Sequence, residues 1–178
     1  MTPEQQALIF RVALAPRSSD SDRTTREQLL AAFHAKDGRA LSCEQLERAA
    51  LARAADDVEA SLTLVFLFGS DPSILPVLRR LAHESWHSRH EDILRLLEEL
   101  SGDAVVADLE FLAWAGPDFQ VYEGSTALAK KAVHSLERVG TPDARTALNR
   151  LREHPEPDVR GLVERVEARM PSADGERA

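Results

Sequence analysis

The sequence predicts an all-α fold: an α-solenoid of antiparallel helix pairs with about nine to ten helices. Three observations predict it. Leucine and alanine dominate a composition that is 43% hydrophobic but only 5% aromatic, a bias that favours helices over strands. Apolar residues recur at i, i+3 and i+4 along most of the chain, the period of a helix that buries one face. From Gly69 onward, a turn followed by a leucine pair recurs three times, and self-similarity at this period marks stacked two-helix units.

The elements follow in order. Pro3 suits a first helical turn with Thr2 as its cap, so residues 3 to 15 read as a helix ending before Pro16. Arg17 to Arg23 is polar and aperiodic, which predicts a loop. Thr25 caps a second helix on which Leu29, Leu30 and Phe33 share a face, and Asp37-Gly38 is expected to stop it. Ser42 is expected to begin the third helix, completing an S-x-x-Q capping box with Gln45 ahead of the stripe Leu46, Ala49, Ala50. Leu62 to Phe68 could be a buried strand on composition alone. The run that opens at Asp56 and Asp57 has the length of a helix, however, and Val58, Leu62, Val65 and Phe68 fall on one helical face.

The repeated part opens at Gly69-Ser70-Asp71-Pro72, again at Ser101-Gly102-Asp103, and again at Gly140-Thr141-Pro142-Asp143. Each supplies a turn residue and then an acid near a helix start, where the dipole favours negative charge. Behind them stand the pairs Leu78/Leu81, Leu109/Leu112 and Leu148/Leu151, spaced by 31 and then 39 residues. An insertion, Gly116 to Gly124, accounts for the longer step, and its Phe119 is expected to pack. The second helix of each pair carries its own stripe: Ile93, Leu96, Leu97, Leu100; then Leu128, Ala132, Leu136, Val139; then Val159, Leu162, Val163, Val166, Met170. Residues 1–170 read as one helical-repeat domain, with N-terminal helices over 1–68 and clear units over 69–170, and residues 171–178 as a disordered tail.

Charge and cysteine usage narrow the function classes. A net charge of −8 repels a phosphate backbone, so nucleic acid is not an expected partner. Cys43 is the single cysteine, which excludes an internal disulfide and a multi-cysteine zinc site and fits a reducing compartment. The N-terminus lacks a basic signal region, and the most apolar run is far shorter than the ~20 residues that span a bilayer. A cytoplasmic protein without membrane contact is expected.

Gly140-Thr141-Pro142-Asp143-Ala144, the Leu148 to Leu151 helix and the start Pro157-Asp158-Val159-Arg160 resemble the HEAT-repeat family and its bacterial, phycobilisome-lyase-like relatives. The resemblance covers the C-terminal half well and residues 1–68 by analogy. It implies the solenoid, and it says almost nothing about activity. Trp86-His87-Ser88-Arg89-His90-Glu91-Asp92, with Tyr122-Glu123-Gly124-Ser125, is similar to a motif of small bacterial HEAT-like proteins.

That segment is the candidate site, and three readings of it stand open. In the structural one, Ser88 and Glu91 form an S-x-x-E capping box, Asp92 adds first-turn charge and Trp86 wedges the turn. In the second, His83, His87, His90 and Glu91 supply metal-binding side chains, although their spacing straddles a turn. In the third, stacked units bring Trp86, His87, His90, Asp92 and Arg95 toward Tyr122, Glu123, Lys130, Lys131 and His134 as a recognition patch.

No nucleophile elbow, P-loop or dinucleotide fingerprint occurs. The expected function is a non-enzymatic protein-binding scaffold without cofactor, with Trp86, His87, His90, Glu91, Asp92, Arg95, Tyr122, Glu123, Lys131 and His134 as binding residues. Its acidic balance points to a basic protein partner, and the family resemblance suggests an immunity or regulatory role. The alternative is a lyase-like or metal-dependent enzyme that uses the Trp86 to Asp92 cluster.

Overall fold

The computed structural model describes residues 1–14, 25–116, 119 and 126–170. Among them the chain forms ten α-helices joined by turns and short 3-10 segments, with no strand. No described helix is long and apolar enough to cross a membrane. The expected loop at 17–23, the tail at 171–178, and Tyr122 and Glu123 lie outside the described residues. Backbone contacts divide the chain into two compact units, residues 1–78 and 79–178.

The first unit holds α1 (Pro3–Leu14), α2 (Arg26–Ala32), α3 (Gly38–Ala52) and α4 (Ala55–Phe68), then a 3-10 turn (Pro72–Ile74) that leads into α5 (Leu75–Ala82). α3 lies along α4, and α1 packs on α4. Ile9, Leu29, Leu41, Ala60 and Leu64 meet in the core between them. Each such leucine or isoleucine stabilises the unit by about 1.5–3 kcal/mol through the surface it removes from water. Gln6 Nε2 donates to Asp57 Oδ1 at 2.6 Å and pins α1 to the start of α4. The run Val58 to Phe68 is helical, with Val58, Leu62 and Val65 buried.

Thr25 and Gln28 form a complete capping box at the start of α2. The α2–α3 boundary differs from expectation. α2 ends at Ala32 with Phe33 as its C-cap, followed by His34 in the left-handed region at φ 53°, and Asp37 begins the next helix rather than ending this one. Its carboxylate accepts the Arg39 N–H at 2.9 Å, so α3 starts at Gly38, four residues before the expected Ser42. Ser42 lies inside the helix and donates back to the Gly38 carbonyl at 2.7 Å, while Gln45 is buried. Gly38 tolerates the early start because of space: a Cβ there would lie 2.1 Å from the Phe68 ring.

The second unit continues from the end of α5 through α6 (His90–Ser101), α7 (Val106–Trp114), α8 (Ala127–Val139), α9 (Pro142–Arg150) and α10 (Pro157–Arg169). Neighbours in sequence pack as pairs, α7 with α8, α8 with α9 and α9 with α10. Alternate helices also touch: α8 lies against both α6 and α10, and α7 lies against α9. Leu109, Leu112, Leu148 and Leu151 are fully buried, as are the stripes Ile93, Leu96, Leu97 and Val159, Val163, Val166. Gly140 ends α8 at φ +66°, where an L side chain is strained, and Thr141 then caps α9 by accepting the Ala144 N–H at 3.3 Å.

Candidate functional site

The turn between α5 and α6 must satisfy the carbonyl groups that α5 leaves open at its C-terminal end. His87 does this for Leu81, and His90 satisfies a carbonyl of the turn itself. His87 Nε2 reaches the Leu81 carbonyl at 3.0 Å, and His90 Nε2 reaches the Glu84 carbonyl at 2.8 Å. His87 also accepts the Arg89 N–H on Nδ1 at 3.2 Å. With one nitrogen accepting an N–H, the neutral ring carries its proton on the other, so His87 is the Nε2–H tautomer.

The rings continue outward as a chain. Trp86 stands edge-on to His87 at 5.0 Å, and His87 stacks on His90 at 4.4 Å and 19°. His90 meets Phe119 at 4.8 Å, and Phe119 meets Phe111 of α7 at 5.5 Å. Phe111 in turn lies 4.1 Å from His83, whose Nε2 is 2.9 Å from the Asp108 carboxylate. Arg79 Nε donates to the other oxygen of Asp108 at 2.7 Å. Asp108 is buried, so these two partners offset the cost of removing its charge from water.

Burial holds the His87 imidazole below the usual histidine range, against the opposing pull of the Leu81 carbonyl and the Glu84 carboxylate. At His90, burial and then the neighbouring His87 carry the pKa down to about 4, opposed by the Glu84 and Phe119 backbones. Burial also raises the Asp92 carboxyl, with Glu91 adding to it and Arg89, Lys131 and Arg95 opposing.

The expected capping box at this turn does not form. Arg89, not Ser88, is the N-cap of α6, and no side chain caps it. His87 accepts the Arg89 N–H, and Glu91, which a box would have turned back to the Ser88 N–H, pairs instead with Lys131 of α8. The metal reading meets the same geometry: both His87 nitrogens and the His90 Nε2 are engaged by backbone. Among the described residues, no group of three or more histidine, cysteine or acidic side chains is placed to hold a metal ion.

The other predicted residues fall along the second helices. Lys130 reaches Asp158 of α10 at 3.1 Å, and Arg169 of α10 returns to Glu137 at 3.0 Å. His134 Nδ1 also lies 3.1 Å from Glu137. Ser135 donates to Glu98 of α6 at 2.7 Å, and Arg138 pairs with the same carboxylate. Asp92 stands 3.9 Å from Arg89, and Arg95 is exposed. The structure thus brings Trp86, His87 and His90 together, and separately joins Glu91 to Lys131; Tyr122 and Glu123 are outside the described residues.

Sequence reasoning passed over Asp108, Phe111 and His154, and did not pair Arg79 with an acid. Arg79 and His83 are one helical turn apart and therefore share a face, which was a readable signal, but their shared acid lies 29 and 25 residues further along the chain, in the first turn of α7. His154 repeats the His87 pattern: Nε2 at 3.1 Å from the Ala113 carbonyl, and Nδ1 accepting the Glu156 N–H at 3.1 Å. Both histidines stand three residues before a helix start, a recurrence visible in the sequence once the helix starts are known.

The first unit carries an open groove of about 690 Å³ lined by Asp37, Arg39, Cys43, Glu44, Glu47 and Asp71. Cys43 Sγ lies 3.3 Å from Ser73 Oγ there. Asp37 and Asp71 spend their carboxylates on helix starts. Compared with known protein families, curated proteins and solved structures, the chain matches none.

Proposed function

We propose that this chain is a HEAT-like helical-repeat scaffold, an α-solenoid that binds another protein through the face of its second helices and performs no chemistry of its own. The observation that carries the reading is the position of α8 between α6 and α10, with basic side chains reaching acids on both neighbours. These cross-links run between side chains of neighbouring second helices along the face. A face whose side chains are already positioned loses little entropy when a partner docks. Trp86, half-buried at the turn that opens α6, is the aromatic anchor, since tryptophan is enriched where binding energy concentrates. The net charge of −8 favours a partner with a basic surface, and an immunity or regulatory protein that masks such a partner is one form of this role.

The test is affinity capture from the source organism's extract, read by mass spectrometry, with the unsubstituted chain and Trp86→Ala side by side. The expected outcome is a protein enriched by the former and lost by the latter while the far-ultraviolet circular dichroism stays helical. Equal capture by both chains would remove the second-helix face as the binding surface.

A further inference from the structure

The α5–α6 turn depends on two imidazoles that work in the neutral form. His87 is 4% exposed and His90 is fully buried. A proton on His87 Nδ1 would turn an acceptor into a donor that faces the Arg89 N–H, and the bond at 3.2 Å would be lost. Protonating His90 as well would place two cations at a centroid separation of 4.4 Å, away from water.

The charged groups around the pair do little to relieve this. Among the described residues, the Glu84 carboxylate favours a charge on His87. On α6, Arg89 and Asp92 lie against each other and Glu91 is held by Lys131 of α8. On α7, Asp108 is taken by Arg79 and His83.

We propose that the stacked His87–His90 pair is an acid-sensitive latch: neutral, it clamps the turn between α5 and α6, and protonated from solvent it releases that turn and frees Trp86. The latch stands whether or not Trp86 touches a partner.

The test uses the full chain carrying Trp114→Phe, which leaves Trp86 as its sole tryptophan of the original two. Trp86 emission is followed from neutral to acid pH beside far-ultraviolet circular dichroism. The expected result is a reversible red shift that begins about one pH unit above any loss of helix. His90→Gln keeps a donor for the Glu84 carbonyl but has no titrating ring, and it is expected to move the emission midpoint down by about one unit or more. Imidazole NMR of the unsubstituted chain reports the latch directly: His90 is expected to remain neutral at about pH 5.5, one unit below the ~6.5 of free histidine, and His87 to titrate below the free value. Emission and helix lost together, a His90→Gln profile equal to its parent, His90 charged at that pH, or His87 titrating at or above the free value overturns the proposal.

Discussion

The turns that open α6 and α10 share one device, a histidine set three residues before the helix, and differ in the carbonyl it reaches and the ring it lies against. His87 and His154 each stand three residues before the helix, and each bridges a carbonyl to the N–H two residues ahead. At the first residue of the helix, α6 has His90 and α10 has Pro157. His87 therefore stacks on a second imidazole, whereas His154 lies beside Trp114 at 5.1 Å. At α10 a single buried histidine closes the turn together with Arg160, whose guanidinium donates to the His154 and Pro155 carbonyls. The second histidine at α6 adds a group whose charge the site cannot accommodate.

Breaking the clamp at α6 is the most damaging change. His87→Ala leaves the Arg89 N–H without its acceptor, removes a bond to Leu81 and unstacks His90, for a loss of about 3–4 kcal/mol in urea unfolding at neutral pH. A loss below 1 kcal/mol would show that the turn closes without the ring.

Acid should produce the next largest effect. His90 sits at about 4 in the folded chain, and a free histidine titrates near ~6.5, so in that window the unfolded chain binds more protons. Stability is full above that window and falls as pH drops through it, by up to about 3 kcal/mol. Urea midpoints at neutral pH and near pH 4.5 check this, and His90→Gln should flatten the difference.

The α10 turn sharpens the contrast. His154→Asn keeps an acceptor for the Glu156 N–H but cannot reach the Ala113 carbonyl, which predicts a loss of about 1–2 kcal/mol by the same measurement. A loss as large as that of His87→Ala would mean that the stacked partner contributes nothing. The smallest effect belongs to the cross-helix pair: Lys131 is 53% exposed, and Lys131→Ala should cost less than about 1 kcal/mol. A cost well above that would shift the weight of the site from the histidines to the second-helix face.

The helices were largely legible in the sequence because their signals are local. The leucine pairs at 109/112 and 148/151, the Thr25 cap and Gly140 all act within a few residues of where they stand, and the structure places each as expected. Where a signal had two local uses, the reading went astray. Asp37-Gly38 could end α2 or begin α3, and the Phe68 ring, which leaves no room for a side chain at residue 38, belongs to a helix the local pattern cannot see. The candidate site divided in the same way. The Trp86 to Asp92 segment stood out by composition, yet the chosen partner of Glu91 lies 40 residues away on α8, and the acid shared by Arg79 and His83 lies on α7.

By itself, then, the sequence determined that this chain is helical, where most helices start and stop, and which side of each turns inward, since those properties follow from spacing along one strand of chain. The tertiary structure decided what the polar side chains at the turns do. A histidine can cap, bind metal or meet a partner equally well on paper. Here a backbone carbonyl lies about 3 Å from Nε2 of both His87 and His154, and only the packed helices bring those carbonyls within reach.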